Sequence, residues 1–247
     1  MVVFVISGAS YGLGPELVLQ AGHTHRNTVF ALVNSVQAAE RLASLSSARD
    51  NIHVYFETQG DRHAGYEIIA RDISRTVPSI DVLFNNASWV GDCLEARNPP
   101  RPNQMNDLQQ FFSNHALDTI HITNAFIPLL HRGSLKKVVT ITSDQAFNHH
   151  WHTAWPSGFD IGIAYAMGKT ALDMTVSRYS GVPEFQQKGF VYVTIECEPV
   201  NTLEQKKEGY YEDIQRQVQE IFEMTERLGR DDSGRCVKLR GCDLITF

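Results

Sequence analysis

A chain of 247 residues with 22 Lys plus Arg against 28 Asp plus Glu carries a formal net charge of −6, and 43% of its residues are hydrophobic. That balance excludes a disordered tail, a collagen-like chain and a disulfide-built miniature scaffold; the length suffices for one large domain with a full core. An isoelectric point near 5.9 gives no electrostatic reason to expect nucleic acid or an anionic membrane as partner, and no apolar run approaches the roughly 20 residues of a membrane helix.

In chain order, the first element is Val2–Ile6, an apolar run that leads straight into Ser7-Gly8. With no basic region before it and no small-residue cleavage site after it, the run reads as a strand rather than a signal peptide. Thr28–Val33, Ile52–Phe56, Val82–Phe84, Val138–Thr142, Phe190–Ile195 and Arg235–Leu239 repeat the pattern. They are short, β-branched or aromatic, and mostly apolar on both faces, as a buried parallel sheet requires. Helical periodicity runs over Pro15–Ala21, whose proline stands in the first turn, then Val36–Ser44, Tyr66–Val77, Asn106–Leu129, Ala164–Ser180 and Tyr211–Arg227. This alternation predicts an α/β fold, a Rossmann-type doubly wound parallel sheet of about seven strands flanked by helices. No linker and no repeat divides the chain, so one domain over 1–247 is expected.

Two stretches break the rhythm. Asn98–Asn103 holds three prolines, which remove donors and fix φ. Asn148–Gly162 is an aromatic and His-rich loop after a strand, on the side where such sheets bind ligands. The four cysteines, Cys93, Cys197, Cys236 and Cys242, form neither a Cys-x-x-Cys pair nor a disulfide framework, which suits a reducing, cytoplasmic compartment.

The turn Ser7-Gly8-Ala9-Ser10-Tyr11-Gly12-Leu13-Gly14 joins the first strand to the first helix. Glycines there permit a sharp turn and a close approach by phosphate, while the helix N-terminus offers free N–H groups and a positive dipole end. An ordinary Gly-rich β-α turn is the plainer reading of this motif alone. Its spacing is Gly-x-x-x-Gly-x-Gly. Further along come Asn85-Asn86-Ala87-Ser88 after the fourth strand, Thr142-Ser143 ending the fifth, and Tyr165-Ala166-Met167-Gly168-Lys169 in a helical segment. In this ordered set the chain resembles the short-chain dehydrogenase/reductase family, Tyr-x-x-x-Lys branch, from Val3 to about Gly241.

The resemblance implies an NAD(P)(H)-dependent oxidoreductase with a dinucleotide half over about 1–140 and a catalytic and substrate half over about 141–247. It implies a cofactor site built from Gly8, Ser10, Tyr11, Gly12, Leu13, Gly14, Asn34, Ser35, Glu57, Thr58, Asn86, Ala87, Tyr165, Lys169, Pro199, Val200 and Thr202. It also implies catalytic roles for Asn114, Ser143, Tyr165 and Lys169. Tyr165 and Lys169 are four apart and share a helical face, so the ammonium favours the phenolate and draws a group of ordinary pKa about 10 toward working pH. Ser143 would orient the substrate oxygen. The family's relay asparagine falls at Asn114, although counting back from Ile127-Pro128 lands on His115; Asn114 requires a one-residue bulge or shift. At the end of the second strand, Asn34-Ser35 offers donors and no carboxylate, which leans to NADP(H) over NAD(H).

Two departures from the family pattern stand out. Its Pro-Gly-x-Val-x-Thr becomes Cys197-Glu198-Pro199-Val200-Asn201-Thr202, placing an anion beside the expected nicotinamide site. Ser143 and Tyr165 are 22 positions apart, longer than in most relatives, and the excess holds His149-His150-Trp151-His152 and Trp155–Asp160. That excess reads as a substrate-facing lid or, equally, as a solvated loop with half-exposed aromatics. Three histidines could also ligate a metal, but no partner cluster at ligand spacing accompanies them and no metal is expected. The expected activity is interconversion of a carbonyl and a secondary alcohol on a small, fairly apolar substrate. The alternatives are an isomerase, cyclase or lyase using Tyr165 and Lys169 for proton transfer, and a silent nucleotide-binding regulator. The resemblance further implies a homodimer or homotetramer through the long helices.

Overall fold

Apolar β-branched runs pair side by side because both of their faces can then be covered by helices. In this computed structural model, residues 1–47, 49–57, 62–86, 105–143, 162–197, 209–239 and 244–245 are described. Strands β1 (Val3–Ile6), β2 (Thr28–Val33), β3 (Ile52–Phe56), β4 (Val82–Asn85), β5 (Lys137–Ser143), β6 (Val191–Cys197), β7 (Cys236–Lys238) and β8 (Leu244–Ile245) form one sheet in the order β3-β2-β1-β4-β5-β6-β7-β8. The first seven run parallel; β8 pairs antiparallel with β7. The order reverses between β1 and β4, and the C-terminal side of that switch point is where an open α/β sheet accepts ligands.

The helices are α1 (Gly14–Ala21), α2 (Val36–Leu45), α3 (Arg62–Thr76), α4 (Met105–Phe112), α5 (Asp118–Leu130), α6 (Gly162–Ser180), α7 (Pro183–Lys188) and α8 (Tyr210–Arg227). On one face of the sheet, Leu17 and Val18 of α1, Leu42 of α2 and Val218 and Ile221 of α8 pack on Ile6, Ala31, Val33, Phe84 and Ile195. On the other, Tyr66 and Ile73 of α3, Phe126 of α5 and Val176 of α6 pack on Val5, Phe30, Leu32, Leu83 and Tyr192. Each such fully buried side chain contributes on the order of 1.5–3 kcal/mol. Among the described residues no helix is long and apolar enough to cross a membrane.

The single helix expected over Asn106–Leu129 is instead α4, a π turn at Ser113–Leu117 and α5. The turn closes with the Asp118 N–H donating to the Ser113 carbonyl, five residues back, so it holds one more residue than an α turn. Two elements were not anticipated. One is α7, which begins at Pro183 and ends on Gly189 at φ 78°; the other is the two-residue β8.

Candidate active site

The glycine turn is fixed from both neighbouring strands. The Ser7 N–H donates to the Phe84 carbonyl at 2.9 Å, and the Ala9 N–H to the Leu32 carbonyl at 3.0 Å. Gly8 has φ +61°, and a Cβ on it would lie 1.6 Å from the Asn86 carbonyl oxygen. Asn86 in turn donates its Nδ2 to the Gly8 carbonyl at 3.0 Å. Two strand ends at the switch point are thereby locked together by main-chain bonds and by the Asn86 side-chain amide. Gly12 also has φ +61°, but a Cβ there would meet nothing within 4 Å. The turn is packed on its inner side and open at Gly12, with the N-terminus of α1 directly after it; it fits a pyrophosphate group. Leu13 points away from this opening, into the core under α1, so only its backbone faces the turn.

The neighbouring corner is built from β2 and α2. Ser10 is buried, and its Oγ accepts from the Asn34 N–H at 2.9 Å. Ser35 caps α2, its Oγ accepting from the Ala38 N–H at 3.1 Å, and it lies 3.2 Å from the Tyr11 hydroxyl. Asn34 is exposed. A residue that sequence reasoning missed completes the corner. Arg41 donates from Nη2 to the Ser10 carbonyl and lies over the Tyr11 ring, 5.5 Å from its centroid. It is the only cation in α2, and that was the signal available. Glu57, after β3, is tied to β2 by its N–H on the Val33 carbonyl at 2.7 Å and accepts from the Tyr66 hydroxyl at 3.4 Å. Thr58, Ala87, Pro199, Val200 and Thr202 lie outside the described residues, as does the His149–His152 stretch.

The chemistry side is carried by β5, α6 and the π turn. Ser143 ends β5, in register with Cys197 at the end of β6. Tyr165 stands in the first turn of α6; the side chains of Ser143 and Tyr165 lie outside the described part of the structure. Lys169, one turn later, is 3% exposed, and its Nζ donates to the Ile141 carbonyl at 3.2 Å, two residues before Ser143. Burial pushes the Lys169 ammonium down to about 8, against the opposing pull of Asp173 and Cys197. The group remains mostly cationic at neutral pH, but its titration lies far closer to that pH than an exposed lysine's.

The π turn meets α6 between these two residues. A Cβ on Gly168 would lie 3.3 Å from both His115 Cδ2 and the Phe111 carbonyl. His115 is fully buried and stacks on Phe111 at 5.7 Å, whereas Asn114 is half-buried on the same turn. The extra residue of the turn is the length change that an assignment to Asn114 requires. Among the described residues no group of His, Cys, Asp and Glu has metal-binding geometry.

Comparison with known proteins identifies the family. The family model "short chain dehydrogenase" matches residues 2–208. The chain is 31% identical over 187 residues to the short-chain dehydrogenase/reductase atnB of an Arthrinium species, covering 72% of this chain and 67% of that one. It is 26% identical over 208 residues to the short chain dehydrogenase virK of Hypocrea virens, covering 81% and 74%. In fold it resembles the NADPH-bound carbonyl reductase from chicken fatty liver, with TM-score 0.79, 17% identity and full coverage of both chains. The carbonyl reductase Sniffer of Drosophila melanogaster gives TM-score 0.78 and 19% identity over 99% of each chain. The chain therefore belongs to the short-chain dehydrogenase/reductase family and is an NAD(P)-dependent oxidoreductase.

Proposed function

We propose that the protein interconverts a carbonyl and a secondary alcohol on a small, fairly apolar molecule, using NADP(H) in preference to NAD(H). The observation that carries this reading is Lys169. It is a lysine buried one helical turn after Tyr165 and bonded to β5 just before Ser143. Burying an ammonium is costly, and a role toward the Tyr165 phenol explains its being there. For the cofactor, the open Gly12 and the α1 N-terminus would hold the pyrophosphate. Ser35 and Arg41 would face the adenosine ribose, where a guanidinium suits a phosphate ester better than a bare hydroxyl. The NADPH in the chicken carbonyl reductase supports the same preference.

When bound, the nicotinamide supplies or accepts the hydride. Tyr165 then exchanges a proton with the substrate oxygen, and Ser143 hydrogen-bonds that oxygen to orient it. Lys169 keeps the phenol acidic enough to act near neutral pH and holds the nicotinamide ribose. Asn114 anchors a water for proton return. Tyr165→Phe is expected to lower turnover by roughly 10²–10⁴-fold while NADPH binding, followed by its fluorescence, stays within about twofold. Undiminished turnover overturns the mechanism. Activity that persists without any nicotinamide cofactor overturns the redox reading in favour of proton-transfer chemistry, for which Glu198 in place of the family's glycine is the motivating feature.

We assign the protein to the cytoplasm on its cysteine usage. We also propose that it forms a dimer or tetramer through its long helices, where Phe112, Met167 and Met174 are exposed. Met174→Glu should shift the sedimentation coefficient to that of a smaller species.

A further inference from the structure

Beneath α6 the sheet changes character. Val139 and Ile141 of β5, Val193 and Ile195 of β6 and Val237 of β7 belong to the core on the opposite face. The alternate positions facing α6 are Thr140, Thr142, Thr194, Glu196 and Cys236, all buried. Onto this polar layer α6 lays two ionisable side chains one turn apart, Lys169 at 3% exposure and Asp173 at 4%. The Thr142 hydroxyl donates to Asp173 Oδ2 at 3.1 Å, which pins the carboxylate to the strand that ends in Ser143. On the next strand Glu196 stands in register with Thr142 and pairs with Lys238 at 3.4 Å.

A buried carboxylate without a countercharge is strongly disfavoured, and each of the two in this layer has a lysine: Glu196 has Lys238, and Asp173 has Lys169. We propose that Asp173 is a positioning residue of the active site, supplying from one helical turn away the countercharge that holds the Lys169 side chain cationic inside the sheet–helix interface. Asp173 acts on Lys169 as a charge one helical turn away, while the Lys169 Nζ donates to the Ile141 carbonyl. Among the described residues, the titratable groups acting on the pair are Glu196 and Cys197 from β6 and Cys236 from β7, with Lys238 of β7 paired to Glu196. Asp173 stands out among them. Glu196 has its own lysine, the cysteines count only as thiolates, and burial together with the surrounding acids pushes the Cys236 thiol well above its ordinary range.

The inference rests on the proposed role of Lys169, but its first test needs neither cofactor nor substrate. In protein labelled with ¹³Cε-lysine, the Lys169 resonance is identified by its loss in Lys169→Arg and titrated by NMR. Asp173→Asn keeps the shape and an oxygen for the Thr142 hydroxyl and removes the charge; it should lower the Lys169 midpoint by about one pH unit or more. Asp173→Glu should return it toward the wild-type value. An unmoved midpoint in Asp173→Asn overturns the proposal. Should that variant not fold, Thr142→Val serves instead. It removes a hydrogen bond that favours the carboxylate and should move the midpoint down by a smaller amount, and no movement again overturns the proposal. In turnover, the alkaline limb of the kcat profile should shift to lower pH in Asp173→Asn and recover in Asp173→Glu. An equal loss at every pH with the limb in place means a purely structural role. A wild-type protein that transfers no hydride, while the NMR midpoint still moves, sinks the oxidoreductase mechanism and leaves the pairing standing.

Discussion

Around β1, β2 and β4 the sheet is sealed by aliphatic and aromatic side chains, Val5, Phe30, Leu32 and Leu83 on one face and Ile6, Ala31, Val33 and Phe84 on the other. Under α6, by contrast, β5, β6 and β7 present Thr140, Thr142, Thr194, Glu196 and Cys236. The first region shapes its site with main-chain atoms held by dry packing, as at Gly8 and Asn86. The second shapes its site with buried charge and hydroxyls. Tolerance in the one is set by sterics and in the other by electrostatics, so the two regions should fail differently when perturbed.

The largest effect is expected at Gly8. An alanine there needs φ +61° and sets a methyl 1.6 Å from the Asn86 carbonyl, so Gly8→Ala should cost about 3 kcal/mol or more, read as a fall in the urea midpoint. A variant of wild-type stability would break the steric half of the comparison. Next comes the buried pair. Asp173 is raised from 3.8 to about 7, chiefly by burial. Its folded form therefore holds the proton more tightly, a stabilisation complete below about pH 4 and lost as pH rises through 7. Lys169 is lowered from 10.5 to about 8, again chiefly by burial; its contribution is complete above about pH 10.5 and lost as pH falls through 8. Together they make the window between pH 7 and 8 the least stable for this pair. A Lys169→Met/Asp173→Asn double variant should gain ~1–2 kcal/mol over wild type there, with the difference shrinking toward both extremes. A pH-independent difference would remove the electrostatic half. The smallest effect is at Arg41, where Arg41→Ala should raise the NADPH Kd about tenfold, the worth of one charge-assisted contact, and leave the NADH Kd within about twofold. Equal weakening of both would mean that Arg41 merely braces the turn.

Much of the frame was legible because strands such as Thr28–Val33 and Ile52–Phe56 are apolar at consecutive positions and end in turn residues. The glycine turn could be read for the same reason: its conformation is demanded by residues that stand next to one another. What escaped was whatever depends on neighbours distant in sequence. Periodicity of 3.6 continues smoothly across Ser113–Leu117, so one helix was expected where a π turn intervenes. Arg41 reads as an ordinary surface cation until α2 folds its side chain back across to Ser10 and Tyr11, some 30 positions earlier. Asp173 gave a visible sign, standing four after Lys169, but only the threonines of β5 and β6 make its burial intelligible. The short α7 carried both of its punctuation marks, Pro183 and Gly189, and was too brief for an apolar stripe.

The π turn also sets how the helices on either side of it are oriented. In an uninterrupted α-helix the azimuth of every side chain follows from that of the first, so α4 and α5 would share one phase. The added residue offsets them by roughly 100°. Upstream, Phe111 and His115 are phased by α6 at Gly168; downstream, Ile122 and Phe126 are phased by the sheet. The two segments thus take their orientation from different neighbours, the turn that carries Asn114 from α6 and α5 from the sheet.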